Sequence, residues 1–138
     1  MHVYQPLPDQ TWSRLDTLRF ELPTVADSSL WRVSVGVRCT NRIPYQDLWL
    51  VVEQRTDMVH RDTVHVIVTD VKGNWLDSGP ILHDIEQPVT TLRLDVPEPK
   101  LLVYHIMRPF SVPGISEVGI KIEPLSAFQP VTSRIDTQ

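Results

Sequence analysis

Five histidines, one cysteine, seventeen acidic residues and one serine set between glycines are the side chains of this sequence that could do chemistry. Zinc asks for about four nitrogen, sulfur or carboxylate ligands at close spacing. His2, His60, His65, His83 and His105 match no finger spacing, and no His-Glu-x-x-His pair occurs. His65 and His105 fall in separate predicted strands and could meet across a sheet; the alternative is that all five are ordinary strand or surface residues. Asp70, Gly73, Asn74 and Asp77 have the outline of a calcium loop, but Lys72 would place a cation among the ligands. The competing reading is a hairpin turn on Gly73-Asn74, where a left-handed backbone is easily adopted. Around Ser116, the run Gly114-Ile115-Ser116-Glu117-Val118-Gly119 is one residue too long for a nucleophile elbow and leads into a strand. Phosphate loops and dinucleotide fingerprints are absent. The expectation is a protein with no catalytic residues, no metal and no cofactor.

The tryptophans carry more. Trp31 opens a predicted strand and Trp75 follows the Gly73-Asn74 turn, so each can pack over an open end of a β-fold. Trp49 falls on the face opposite Leu48, Leu50 and Val52. Either an N-terminal extension or a crossover covers Trp49 and Val51, or the indole is presented to solvent, where aromatics on a sheet serve protein interfaces or glycan stacking. Trp49, Tyr45 and Trp75 are therefore the candidate binding residues.

Bulk properties narrow the partners. The chain has 138 residues with a net charge of −4, and its 13 basic residues are scattered singly. A nucleic-acid backbone would find no basic stripe to neutralise it. One cysteine, Cys39, allows no intrachain disulfide and no cysteine-rich zinc site, and its strand-like surroundings suggest a small buried apolar group. No run approaches the roughly 20 apolar residues that span a bilayer.

The elements that must position these residues have a period of two. Val33, Val35 and Val37 alternate with polar neighbours, as do Leu48, Leu50 and Val52; Val64, Val66 and Val68; Leu92, Leu94 and Val96; and Val118, Ile120 and Ile122. Leu18, Phe20 and Leu22 give a first strand, and the run Leu101 to Arg108 is apolar enough for a central one. Turn residues separate these segments, and the twelve prolines oppose helices. Seven or eight short strands at this spacing predict an all-β antiparallel sandwich, immunoglobulin-like or jelly-roll-like. Leu76 to Pro88 reads as a crossover with a short strand near Ile81. Residues 1–11 read as an N-terminal spacer, 12–123 as the sandwich and 124–138 as a C-terminal extension.

Several stretches in order resemble one family. Val3-Tyr4-Gln5 and Trp12 precede Asp16-Thr17-Leu18-Arg19-Phe20. Next come Val35-Gly36-Val37-Arg38, Asn41 and Ile43-Pro44-Tyr45-Gln46-Asp47-Leu48-Trp49-Leu50. Asp62-Thr63 and Lys72-Gly73-Asn74-Trp75-Leu76-Asp77-Ser78-Gly79 follow, and His105-Ile106-Met107-Arg108 with Val118-Gly119-Ile120-Lys121-Ile122-Glu123 closes the series. This order resembles the gliding motility-associated lipoproteins of the GldH family. The resemblance implies a Bacteroidetes cell-envelope protein, lipidated on an N-terminal cysteine, at the outer membrane or periplasmic face. It also implies a non-catalytic component of gliding motility and its associated secretion machinery, with envelope or motility-machinery proteins as partners. No cysteine lies near Met1, so the anchor would stand upstream. The alternative role is a surface glycan-binding module built on Trp49.

Overall fold

In the computed structural model, residues 1–56, 58–69 and 82–125 are described. Among these residues ten strands run in order: β1 (His2–Pro6), β2 (Thr11–Ser13), β3 (Leu18–Glu21), β4 (Leu30–Thr40), β5 (Asp47–Arg55), β6 (Val59–Ile67), β7 (Leu82–Arg93), β8 (Lys100–His105), β9 (Ser111–Pro113) and β10 (Ile115–Pro124). They form two four-stranded antiparallel sheets, sheet I in the order β1-β10-β4-β7 and sheet II in the order β3-β8-β5-β6, and a short β2–β9 ribbon. Setting the ribbon aside, each successive strand changes sheet except across the β5–β6 hairpin. That wiring is a jelly roll, which decides between the two sandwich types the sequence left open.

The alternating residues behave as their period requires. Val33, Val35 and Val37 of β4 and Val118, Ile120 and Ile122 of β10 face Phe20, Leu48, Leu50, Val64, Val66 and Val103 of sheet II in one buried core. β8 is central, with β3 and β5 on its two sides. Cys39 is fully buried, and burial pushes its thiol up to about 12, which keeps it protonated and unreactive.

Two expectations are corrected. His2–Pro6, expected within a spacer, is an edge strand paired with β10 from His2↔Lys121 to Pro6↔Glu117. It carries no period of two, because an edge strand buries little, and no residue of β1 is fully buried. The strand expected at 92–96 ends instead at Arg93 and begins at Leu82. Here β7 bulges against Val33 and Ser34 around Pro88, so the residues opposite Cys39, Val37 and Val35 are His83, Ile85 and Gln87 before the bulge, and those opposite Val33 and Trp31 are Thr90 and Leu92 after it. That flip of parity, with polar His83 and Gln87 in register with apolar residues, erases the period of two. Pro88 is tolerated because β7 is an edge strand.

The sheets are tied at the β1 and β3 edges by the Gln5 side-chain amide, which donates to the Arg19 carbonyl at 2.6 Å. Trp75, the Gly73-Asn74 turn, the calcium-loop residues Asp70 and Lys72 and the extension after Leu125 lie outside the described residues.

Candidate functional site

Sheet II turns a row of side chains outward where β5 begins. Trp49 of β5 is 42% exposed and pairs in register with His65 of β6. The imidazole lies flat against the indole, with ring centroids 4.1 Å apart and planes 4° from parallel. His65 Nε2 meets Asp47 Oδ2 at 2.6 Å, which fixes the ring's rotation. The Trp49 backbone is pinned on the β8 side, where its N–H donates to Met107 Sδ at 3.3 Å and its carbonyl accepts from the Ile106 N–H at 2.9 Å. Ile67 and Ile106 are exposed on either side. Beyond Ile106 the surface dips into a hollow of about 370 Å³ lined by Arg14, Tyr104, His105 and Ile106.

A buried clamp holds the rim of that hollow. Trp12 of β2 is fully buried and meets His105 edge-on, at 5.5 Å and 72°. Its indole N–H donates to the Asp16 carbonyl at 2.8 Å. The Met107 N–H donates to His105 Nδ1 at 3.2 Å, which assigns the proton to Nε2, facing the Phe110 carbonyl at 3.2 Å. Burial holds the imidazole's pKa below its ordinary value, against the hydrogen bonds to the Phe110 and Trp12 backbones that raise it. The Arg14 side chain donates to the carbonyls of Met107 and Arg108, tying ribbon to sheet.

Further along the same face, Glu53 is nearly buried between two arginines, with Arg55 Nε at 2.6 Å and Arg61 Nε at 2.8 Å. The hydrogen bond from Arg55, then that from Arg61, holds its carboxyl below the usual range despite burial.

The outer face of sheet I is closed by its own residues. Tyr4 of β1 lies across Gly119 of β10 and Gly36 of β4: a Cβ at Gly36 would come within 2.9 Å of Tyr4 Cζ, and one at Gly119 within 2.7 Å of Tyr4 Cγ. The Arg38 guanidinium carbon sits 3.9 Å from the Tyr4 ring centroid. Arg38 in turn bridges Asp84 at 2.8 Å and Glu117 at 2.6 Å. Desolvation, with the nearby Asp84 carboxylate, pushes the Tyr4 hydroxyl above its usual value.

Of the residues singled out in the sequence, Trp49 stands on the exposed row, whereas Tyr45 is half-buried and packs against the core. His65 and His105 do not meet: β5 separates their strands, and their side chains take opposite faces of sheet II. Ser116 on β10 donates to the Arg38 carbonyl at 3.2 Å. Among the described residues, no three of His, Cys, Asp and Glu gather closely enough to hold a metal ion. Sequence reasoning missed His65, Ile67 and Ile106 as neighbours of Trp49. The signal was present in part: Trp49 and His65, like Asp47 and Ile67, are equidistant from the β5–β6 turn, so a hairpin centred on residue 57 pairs them.

These elements carry the stretches whose order suggested a family. A family model described as GldH lipoprotein matches residues 1–122. The chain belongs to the GldH lipoprotein family. No curated protein and no solved structure matches it. The family match begins before β1 and runs into β10, so it takes in both the Tyr4 assembly and the Trp49 row. Membership assigns the chain to the gliding motility-associated lipoproteins, which lipid attachment ties to the cell envelope.

Proposed function

We propose that this GldH lipoprotein is a non-catalytic component of an envelope assembly serving gliding motility and the secretion machinery tied to it, and that it works by protein–protein contact through the outer face of sheet II. The carrying observation is the row Ile67, His65, Trp49 and Ile106, an aromatic stack flanked by exposed aliphatics on a rigid sheet. Rigid, partly exposed tryptophan beside aliphatic surface is what protein interfaces use as anchors. His105 supports the non-catalytic reading, since both of its ring nitrogens are engaged by backbone groups inside the clamp.

Glycan binding on Trp49 has less support. Sugar stacking needs a free indole face, and the flat imidazole covers one of the two. A glycan panel showing retention that Trp49→Ala abolishes would revive it.

A photo-crosslinking side chain placed at Ile67 in intact cells tests the main reading against one placed at Lys121 on sheet I. Envelope proteins are expected on the Ile67 probe alone. Cross-links at Lys121 alone, or at neither position, would reject it. Recovery of the full gene product in the membrane fraction, with release by detergent, is expected for the lipid anchor.

A further inference from the structure

Resting on that reading, we infer that the hollow beside Ile106 takes an acidic–apolar segment of a partner protein, with an aliphatic or aromatic side chain seated against Ile106 and Tyr104 and a neighbouring carboxylate paired with Arg14. The Arg14 guanidinium makes two hydrogen bonds, both through the same terminal nitrogen and both to main-chain carbonyls. Those bonds aim the group without neutralising it, and no carboxylate of a described residue pairs with it. A guanidinium has five donors in a planar fork suited to carboxylates, so Nε and the other terminal nitrogen remain for an incoming anion. The floor beside it is apolar, through Ile106 and the Tyr104 ring, and Trp49 continues it along the sheet. Leu15 and Phe110, both exposed, follow Arg14 and precede β9 at the same end of the sandwich. A cation already oriented by two bonds next to aliphatic surface favours a ligand carrying both features, because little ordering remains to oppose binding.

Position argues for a protein over a lipid surface. Met1 exchanges backbone hydrogen bonds with Ile122 at one end of sheet I, and β1 and β4 both run from there toward the end that carries Asp47 and the ribbon. The eleven residues of β4 span roughly 33 Å at the strand rise. The hollow is therefore at the end of the sandwich remote from Met1, and a lipid anchor attached on the N-terminal side would stand at the opposite end.

The test is selection of a phage-displayed random peptide library on the whole immobilised protein, with vesicles of phosphatidylcholine and phosphatidylglycerol in equal parts as a second probe. Enriched peptides are expected to carry Asp or Glu within a residue or two of Leu, Ile, Phe or Trp. Their affinity should fall at least tenfold with Arg14→Gln, recover partly with Arg14→Lys and fall again with Ile106→Asp, an exposed position whose change spares the core. Lys121→Gln on the far sheet should bind as the unaltered protein does. No enrichment, enrichment of basic peptides, undiminished binding to Arg14→Gln and Ile106→Asp, or vesicle binding without peptide binding would each overturn the inference. Cross-links from Ile67 in cells without peptide enrichment would leave the sheet II contact standing and remove only the acidic–apolar occupant.

Discussion

The two outer faces of the sandwich use aromatic residues in opposite ways. On sheet I, Tyr4 lies flat in a trough that exists because Gly36 and Gly119 lack side chains, and Arg38, with Asp84 and Glu117, closes over it. On sheet II, Trp49 stands against His65 with Ile67 and Ile106 left open to solvent. The first arrangement consumes its aromatic surface in holding the N-terminal strand. The second leaves that surface available. An aromatic at a strand position thus says little until its neighbours in register are known: glycines beside it mean a built-in seat, and exposed aliphatics beside it mean an unfilled one.

Substitutions can break or sharpen this contrast. The largest effect is expected at Gly114, outside both faces, where φ is +84° and a Cβ would lie 2.5 Å from Ile43 Cα. Gly114→Ala should cost about 3 kcal/mol in chemical unfolding, combining left-handed strain with overlap against backbone. On sheet I, Tyr4→Ala should cost about 2 kcal/mol. Gly36→Ala should cost a similar amount alone but little more in the Tyr4→Ala background, since its clash is with the ring itself. Additivity of the two changes would show that Tyr4 does not occupy the trough. Gly119→Ala should resist that rescue, because its Cβ would also meet the Val3 carbonyl at 2.5 Å.

Acid should act next, through the clamp behind sheet II. Because burial depresses the pKa of folded His105, the unfolded chain takes up its proton at a higher pH than the folded one does. Its contribution is full above about 6.5 and declines as pH falls toward the depressed value. Thermal unfolding should therefore show Tm falling as pH drops below about 6.5, a loss reduced in His105→Asn. Glu53 acts lower still: its folded pKa lies below the ordinary 4.3 or so, so the stability it supplies is present above that value and is lost as pH falls through the folded one. Glu53→Gln should remove about 1–2 kcal/mol at neutral pH. The smallest effect is expected at Trp49→Ala, under about 1 kcal/mol, since only an exposed stack is lost. A cost at Trp49 as large as that at Tyr4 would mean that the sheet II row is structural and would erase the contrast.

Much of the core was legible in the sequence because residues that alternate in type must alternate in face, and Val33, Val35, Val37, Val118, Ile120 and Ile122 need no partner to declare themselves. The edge strands were not. In β1, Tyr4 packs on the outer face and Val3 is exposed, and in β7 a bulge at Pro88 reverses the parity that a periodic reading depends on. The candidate site was half legible. Trp49 was placed on the outward face by parity alone, but that says nothing of what stands beside it.

The sequence by itself determined the all-β class, the inward face of the central strands and the order of stretches that marks a GldH lipoprotein. Those are properties of neighbours along the chain, and the period of two converts them directly into faces. Only the tertiary structure decided that the sandwich is a jelly roll, that His65 covers one face of Trp49, and that Tyr4, Gly36 and Gly119 meet although more than a hundred residues separate the first from the last. Strand order and register bring distant residues together across hydrogen-bonded ladders, and local pattern cannot encode which ladders form when every strand presents the same alternating face.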